Sequence, residues 1–336
     1  MTGDGARRRP TSTDVAREAG LSRATVSYVL NDTPHQTIPE GTRRRVLEAA
    51  ARLGYAPSAA ARALRSGRSD VVLCLLPDWP IGPAVGDLLS HLSGALAGRG
   101  LTLLAHPRAR DARPVADVWK AITPAAVLAF DDFGDEEAAA MRAAGIELTV
   151  ALFGRSRRRG NELELPEQRT GRLQADHLAA RGHRRLGYAF PADERVVAFA
   201  RPRLAGVRAR CADLGLPEPV VRTVPLDPAA AETAVRAWRA EDPAVTAVCA
   251  YNDDVALAVL AGLHRLGLHA PGDLAVIGVD DIPAAALAIP PLTTVALDTA
   301  RLAEHVAQVV VASLAGTPRP RRPGAAAVRV IARESA

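Results

Sequence analysis

From Asp70 onward the chain repeats one pattern, an apolar run followed by an amphipathic stretch, and this narrows the possible folds more than any other feature. "VVLCLLP" (71–77), "LTLLAH" (101–106), "AAVLAF" (125–130) and "ELTVALFG" (147–154) are rich in Val, Leu and Ala. Such near-continuous apolar runs mark parallel strands buried on both faces. Helical segments fall between them, near 84–99, 113–122 and 135–144. The order βαβαβαβ implies a doubly wound parallel sheet. A second series begins after residue 165 and includes "RTGRLQADHLAARG", "RRLGYAF", "RPRLAGVRARCADLG", "AVTAVCAYND" and "LAVIGVDD". Two such lobes in succession leave a cleft at the carboxyl ends of their strands, where open α/β sheets bind ligands.

Composition sets the outer limits. A chain of 336 residues, 48% hydrophobic, can bury a large core and divides into two or more domains. No run approaches the roughly 18 uncharged apolar residues that would span a bilayer. The start, "MTGDGARRRP", is basic but has no apolar segment after it, so no secretory signal is expected and the predicted location is cytoplasmic. Cys74, Cys211 and Cys249 are far apart and odd in number. They are read as small buried hydrophobes, and neither a metal site nor a cofactor is expected.

Charge is unevenly spread. Residues 1–69 carry twelve arginines against six carboxylates, while the whole chain has a net charge of +5, so the remainder sums to −1. A basic head on a near-neutral body suits a polyanionic partner. An arginine-rich composition would produce the same surplus, and charge alone leaves the two readings even.

The head carries more specific signals. Thr11 and Asp14 stand three apart before Val15, Ala16 and Ala19, in the manner of a capping box. Gly20 follows where a helix end needs a left-handed residue. Ser22 can then cap a second helix whose inward side is Val26, Val29 and Leu30 and whose outer side is Arg23, Ala24, Ser27 and Tyr28. Two short helices joined by a glycine-containing turn make a helix-turn-helix, and its second helix enters the major groove. A third helix is predicted over 40–53, with Val46, Leu47, Ala50 and Leu53 inward and Arg43 and Arg44 suited to phosphates. Arg45 is read as a solvated side chain. Beyond Pro57, "SAAARALR" is helix-prone, yet a helix that short is marginal alone in water. Its Leu64 would serve as a wedge between base steps in a minor groove.

"TDVAREAGLSRATVSYVLN" and "RRRVLEAAARLGYAPSAAARALRSGRS" together resemble the headpiece and hinge of the LacI/GalR family of bacterial transcription regulators. The resemblance implies that hinge helices from two subunits pair in the minor groove, with Leu64 intercalating beside Ala61. It also marks a departure. The family's recognition helix commonly ends Ser-Arg-Val, whereas this chain has Ser27-Tyr28-Val29. Tyrosine lacks the fork that grips guanine bidentately, which leaves Arg23 to make such a contact. The expected DNA-contact set is Thr11, Ser22, Arg23, Ala24, Thr25, Ser27, Tyr28, Asn31, Arg43, Ala61 and Leu64.

In the body, Asn252 and Asp253 follow one apolar strand and Asp280 and Asp281 another, while Arg203 is expected to begin a helix after a loop. One arginine, one asparagine and several carboxylates around a cleft suit a polyhydroxylated ligand, whose hydroxyls need both donors and acceptors. Asp253 and Asp281 are read as residues that orient neighbouring helices. The family likeness extends through "RPRLAGV", "AYNDDVAL", "LAVIGVDDIP" and the closing "RES". It implies Arg203, Asn252 and Asp280 as effector ligands, a chain that crosses back to the first lobe near 290, and a return near 320. Gly82-Pro83-Ala84-Val85 stands where sugar-binding relatives often carry Asn-Pro-Phe-Phe, and Thr299 where some carry a pocket aromatic. Trp79 either supplies a stacking face instead or packs a loop. Glu167 stands near the family's usual inter-lobe aspartate.

The predicted architecture is an N-terminal all-α helix-turn-helix headpiece plus an α/β two-lobed periplasmic-binding-protein-like core of doubly wound parallel sheets. A disordered basic tail is expected over 1–10, the headpiece over 11–57, the hinge helix and linker over 58–69, and the effector-binding and dimerisation core over 70–336. Lobe 1 takes about 70–161 and 290–320, and lobe 2 about 162–289 and 321–336. The expected function is a homodimeric, sequence-specific repressor that binds a pseudo-palindromic double-stranded operator. A small-molecule effector, a sugar or related polar metabolite, would control it, and no membrane association or enzymatic activity is expected. A glycosidase would use paired carboxylates, but Asp280 and Asp281 are adjacent in sequence, and no Gly-x-Ser-x-Gly or P-loop appears. An exported solute-binding protein shares the body but not the basic head. A constitutive DNA binder with a degenerate pocket stays open.

Overall fold

The computed structural model describes residues 10–30, 38–55, 69–108, 115–130, 133–146, 149–151, 166–318, 320 and 328–336. Asn31, Ala61, Leu64 and the expected hinge segment 58–68 lie outside the described residues. The chain forms two compact units, Met1–Asp70 and Val71–Ala336.

The first unit contains three short helices, α1 (Ser12–Ala19), α2 (Arg23–Leu30) and α3 (Glu40–Leu53). Local chemistry sets their ends. Thr11 Oγ1 accepts from the Asp14 backbone N–H, and the Asp14 carboxylate accepts from the Thr11 N–H, completing the capping box. Gly20 takes φ 64°, a left-handed conformation that favours glycine and lets the chain turn at once toward α2. Ser22 Oγ accepts from Thr25 N–H at 3.1 Å. The three helices close on a core of Val15, Ala16, Ala19, Val26, Val29, Val46, Ala49 and Ala50.

Two expectations for α3 need correction. Leu47 is 51% exposed, and Ala49 is buried in its place. The buried stripe runs Val46, Ala49 and Ala50, and Leu47 lies a further 100° round the helix from Val46. Arg45 is not a purely solvated side chain, because its Nη2 donates to the Ala19 carbonyl at 2.6 Å. It thereby satisfies an orphan acceptor at the C-terminus of α1.

The second unit holds two sheets. The first runs β2 (Thr102–Pro107), β1 (Val71–Leu76), β3 (Ala126–Ala129), β4 (Thr149–Ala151), all parallel. Val72, Cys74 and Leu76 of β1 pack against α4 (Pro83–Ala97) and a later helix, while Leu73 and Leu75 pack under Trp119 and Met141. Trp119 and Met141 belong to α5 (Val115–Ile122) and α6 (Asp135–Ala143). Alternate residues of one strand are thus buried on both sides, which explains its continuous apolar run.

The second sheet contains β5 (Leu186–Pro191), β6 (Val220–Val224), β7 (Ala247–Ala250), β8 (Ala275–Val279), β9 (Thr293–Leu297) and β10 (Val328–Ile331). Its order is β10-β9-β8-β7-β5-β6, with β10 antiparallel and the rest parallel. Helices α7 (Glu167–Ala180) and α8 (Val197–Asp213) cover one face, and α9 (Pro228–Arg239) and α10 (Asp253–Arg265) the other. A short α11 (Pro283–Leu287) follows β8.

The return to the first lobe comes later than the expected residue 290. β9 still pairs in the second sheet through Leu297, and only α12 (Thr299–Leu314) packs on α4 and the first sheet. Strand pairing is a tertiary choice that this apolar run could satisfy on either sheet. Arg203 also sits elsewhere than expected, in the middle of α8, which begins at Val197 and carries Pro202 inside it. Cys74, Cys211 and Cys249 are free and buried.

Candidate functional site

The outer side of α2 is polar. Ser22, Arg23, Ala24 and Tyr28 are exposed, and Thr25 and Ser27 are partly so. Tyr28 is 39% exposed although Val26 and Val29 beside it are buried. Residues 23, 24, 27 and 28 share one face by helical spacing, so the short core beneath α2 holds four side chains outward on a rigid platform. Thr11 and the partly exposed Arg43 lie in the same unit, Thr11 capping α1 and Arg43 in the first turns of α3. Thr11 Oγ1 also donates to Asp14 at 2.7 Å, so its hydroxyl hydrogen is already engaged.

In the second unit a cleft of about 490 Å³ opens at the carboxyl ends of the strands of both sheets. Trp79, Arg203, Asn252, Asp280 and Thr299 all line it. Five residues scattered over more than 200 positions therefore meet in one space.

The polar floor belongs to the second lobe. Arg203 is buried, and its Nε donates to the Glu167 carboxylate, with Nη2 to Glu167 Oε1 at 3.3 Å. Nη1 donates to the Tyr251 carbonyl at 2.7 Å, the guanidinium lies 4.9 Å from the Tyr251 ring centre, and Nη2 is 3.7 Å from Asp280. Burial pulls the Arg203 guanidinium down, but Glu167 and Asp280 outweigh it and hold the group above its usual value, so it remains a cation. Burial raises the Asp280 carboxyl, and Arg203 offsets only part of that rise.

A glycine pair makes this arrangement possible. A Cβ on Gly171 would lie 2.0 Å from the Arg203 carbonyl oxygen, and one on Gly206 would lie 2.0 Å from that of Gln168. Helices α7 and α8 therefore cross with backbone touching backbone, which brings Glu167 at the start of one against Arg203 of the other. Glu167 stands at a helix start, not in an inter-lobe strand as its position in the family suggests.

Asn252 precedes α10, and its Oδ1 accepts from Val255 N–H at 3.0 Å while its Nδ2 donates to Asp254 at 3.3 Å. Asp280 has φ 107° and Asp281 φ 53°, two consecutive non-glycine residues in left-handed space. Such strain costs about 1–3 kcal/mol each and clusters at functional positions. Asp281 pairs with Arg333 at 2.6 Å. Asp253 is fully buried and accepts from Thr294 Oγ1 at 2.6 Å and Ile282 N–H at 2.9 Å. Asp253 orients neighbouring backbone, Asp281 holds the Arg333 side chain, and neither lines the cleft among the described residues.

The opposite wall, from the first lobe, is apolar. Trp79, Pro80, Pro83, Val85, Leu88 and Phe130 contribute to it. Trp79 lies 4.5 Å from Phe199 of α8 with rings 9° from parallel, and meets Phe130 edge-on at 5.8 Å. It thus lines the cleft while packing against a ring from each lobe. Thr299, the first residue of α12, has its Oγ1 3.1 Å from His91 Nδ1.

Sequence reasoning did not anticipate Phe199, Tyr251 or Asp254 as cleft residues, nor Glu167 as the partner of Arg203. The spacings Glu167-x-x-x-Gly171 and Arg203-x-x-Gly206 carried a signal for the last. A charged residue one turn before a glycine, on each of two helices, matches a close crossing.

Comparison with known proteins agrees with this geometry. Residues 11–58 match the family described as bacterial regulatory proteins, lacI family, and residues 175–336 match a periplasmic binding protein-like domain. The chain joins a lacI-family headpiece to a periplasmic binding protein-like domain. The HTH-type transcriptional regulator GntR of Pseudomonas aeruginosa is 29% identical over 314 residues, covering 92% of this chain and 90% of that protein. The HTH-type transcriptional regulator GalR of Escherichia coli is 27% identical over 315 residues, covering 91% and 90%. Among solved structures, the lac repressor dimer bound to operator and the anti-inducer ONPF superposes with TM-score 0.78 at 22% identity, covering 98% of this chain and 99% of that one. A complex of the transcriptional regulator CelR with cellobiose gives TM-score 0.66 at 25% identity, covering 98% and 100%. The lacI-family match holds the exposed face of α2, and the domain match holds Arg203, Asn252 and Asp280. Trp79 and Glu167 lie outside both matched ranges.

Proposed function

We propose that this chain is a sequence-specific DNA-binding transcriptional repressor of the LacI family, acting as a homodimer and controlled by a small polar effector held between its two lobes. The observation that carries the reading is the union, in one chain, of a helix-turn-helix with an exposed polar face and a two-lobed unit whose cleft gathers Arg203, Asn252 and Asp280. In this reading Arg23, Ala24 and Tyr28 face major-groove bases, Ser22, Thr25, Ser27 and Asn31 add further DNA contacts, and Thr11 and Arg43 meet phosphates. Ala61 and Leu64 enter the minor groove at the centre of a pseudo-palindrome. The effector changes the angle between lobes and so decides whether the two hinge segments pair.

An intact polar floor supports a responsive cleft over a degenerate one. The relatives are transcriptional regulators, which supports a non-enzymatic role. No helix among the described residues is long and apolar enough to cross a membrane. A cytoplasmic location fits a DNA-binding protein.

The test is to incubate the full-length protein with sheared genomic DNA, recover bound fragments at moderate salt, and sequence them. Enrichment of a pseudo-palindrome with a flexible pyrimidine–purine step at its centre is expected. Recovery of random fragments, with or without cell extract as a source of corepressor, sinks the reading. Replacing Arg43 by Ala should lower affinity for all sequences alike and reduce the salt slope by about 1.

A further inference from the structure

We infer that the cleft selects uncharged ligands with hydroxyls at one end and an apolar substituent at the other, and that Glu167 turns anionic ligands away. This rests on the effector-cleft reading above and specifies the chemical class of the effector.

The first support is the sidedness of the cleft. The charged and amide groups (Glu167, Arg203, Asn252, Asp254, Asp280) come from the second lobe, while the facing wall, Thr299 apart, carries rings and methyl groups (Trp79, Pro83, Val85, Phe130). Leu226, at the cleft after β6, is 69% exposed. A plain hexose presents hydroxyls all round and would leave several against that wall without partners, at a cost in desolvation. A ligand with one apolar arm would bury the wall and the exposed leucine together.

The second support is the state of the guanidinium. Among the described residues lining the cleft, Arg203 is the only cation, whereas Glu167, Asp193, Asp254 and Asp280 are carboxylates. Asp193 is matched by Arg195, but Arg195 does not line the cleft among the described residues. Arg203 has five N–H donors. Glu167 takes Nε and one hydrogen of Nη2, Tyr251 takes one of Nη1, and Asp280 stands 3.7 Å from Nη2. Glu167 thus takes the bidentate Nε/Nη2 edge, and the remaining N–H groups face Tyr251 and Asp280, which leaves little donor capacity for a ligand anion. A phosphate or carboxylate on the ligand would therefore meet four carboxylates against one cation already shared between Glu167 and Asp280. Asp254 and Asp280 instead need donors, which hydroxyls supply.

The experiment uses the full-length protein with three matched sets of probes: phenyl glycosides of common hexoses and pentoses, the free sugars, and the corresponding sugar phosphates and aldonic acids. Binding is measured by titration calorimetry on the parent and on Glu167→Gln. Hits are expected only among uncharged probes, with a phenyl glycoside roughly tenfold or more tighter than its free sugar. In Glu167→Gln the freed guanidinium should strengthen the anionic probes relative to their uncharged counterparts. A parent that binds a phosphate or acid as tightly as the neutral sugar overturns the inference. So does equal affinity for glycoside and free sugar, or silence toward every uncharged probe. Should Glu167→Gln lose its fold by circular dichroism, the charge ranking of the parent decides alone. Retardation of the recovered genomic DNA is followed on the same samples. DNA binding with the wrong ligand ranking removes the ligand class only, whereas absence of DNA binding removes the regulator reading whatever sugars bind.

Discussion

On the first lobe, β1 runs out into Trp79 and two prolines, and the wall it presents to the cleft needs no partner beyond other rings. On the second, every polar group is held by something else. Arg203 is fixed by Glu167 and Tyr251, Asn252 by the first turn of α10, and Asp280 by a backbone in left-handed space. The contrast teaches that an apolar wall can change side chain by side chain, because each contact is separate and nondirectional. A polar floor cannot, since removing one charge strands another. Binding and folding are therefore coupled on the second lobe and largely uncoupled on the first.

That contrast can be broken by measurement. The largest effect is expected from Arg203→Ala, which leaves Glu167 buried without its cation and should cost about 3–5 kcal/mol in urea unfolding. Adding Glu167→Gln should recover most of it, and a double variant as unstable as the single would mean the pair is not the cause. Next, Gly206→Ala forces a Cβ into the Gln168 carbonyl and should cost about 3 kcal/mol by the same assay.

A pH effect follows from Asp253. Burial raises its carboxyl from the usual range to about 7, against the two hydrogen bonds that favour ionisation. The folded chain thus keeps a proton that the unfolded chain has released by about pH 4, so this group's stabilisation is full below that pH and disappears as pH rises through 7. Urea midpoints across pH 4–8 should fall less steeply in Asp253→Asn than in the parent, and identical slopes would discard the assignment. Smaller still, Asp280→Gly relieves the φ 107° strain but removes a partner of Arg203, so stability should change by less than about 1 kcal/mol while the ligand response is abolished. The smallest is Gly94→Ala on the first lobe, where a Cβ meets nothing within 4 Å in mid-helix. It should gain about 0.5 kcal/mol, opposite in sign to Gly206→Ala.

The parts readable from the residues alone were those governed by neighbours along the chain. Thr11, Asp14 and Gly20 announce α1 because capping acts over three or four residues, and the apolar runs of β1 and β3 announce strands because burial on both faces leaves no alternation, whereas β2, expected to be buried, is an edge strand with Leu104 41% exposed. The opposite held for features settled by distant pairing. Glu167 and Arg203 are 36 positions apart, and their meeting depends on two glycines whose function appears only when the helices cross. The sheet on which β9 pairs, the exposure of Leu47 and the engagement of Arg45 with Ala19 are likewise decided by packing. Arg203, Asn252 and Asp280 were legible as a set through motif likeness. Phe199 and Tyr251 were not, since an aromatic in an apolar stretch carries no mark of whether it faces core or cleft.

The stack of Trp79 on Phe199 joins a ring rooted in one lobe to a ring rooted in the other, and Asp78 and Arg195 stand 3.7 Å apart across the same junction. Such a joint would act as a gauge. A flat group slipped between the rings would wedge the lobes apart by its own thickness, whereas one lying beside them would leave the spacing untouched. Ligands of equal affinity would then set different lobe angles, and the protein would respond to where the flat part of its effector lies as well as to whether it is bound.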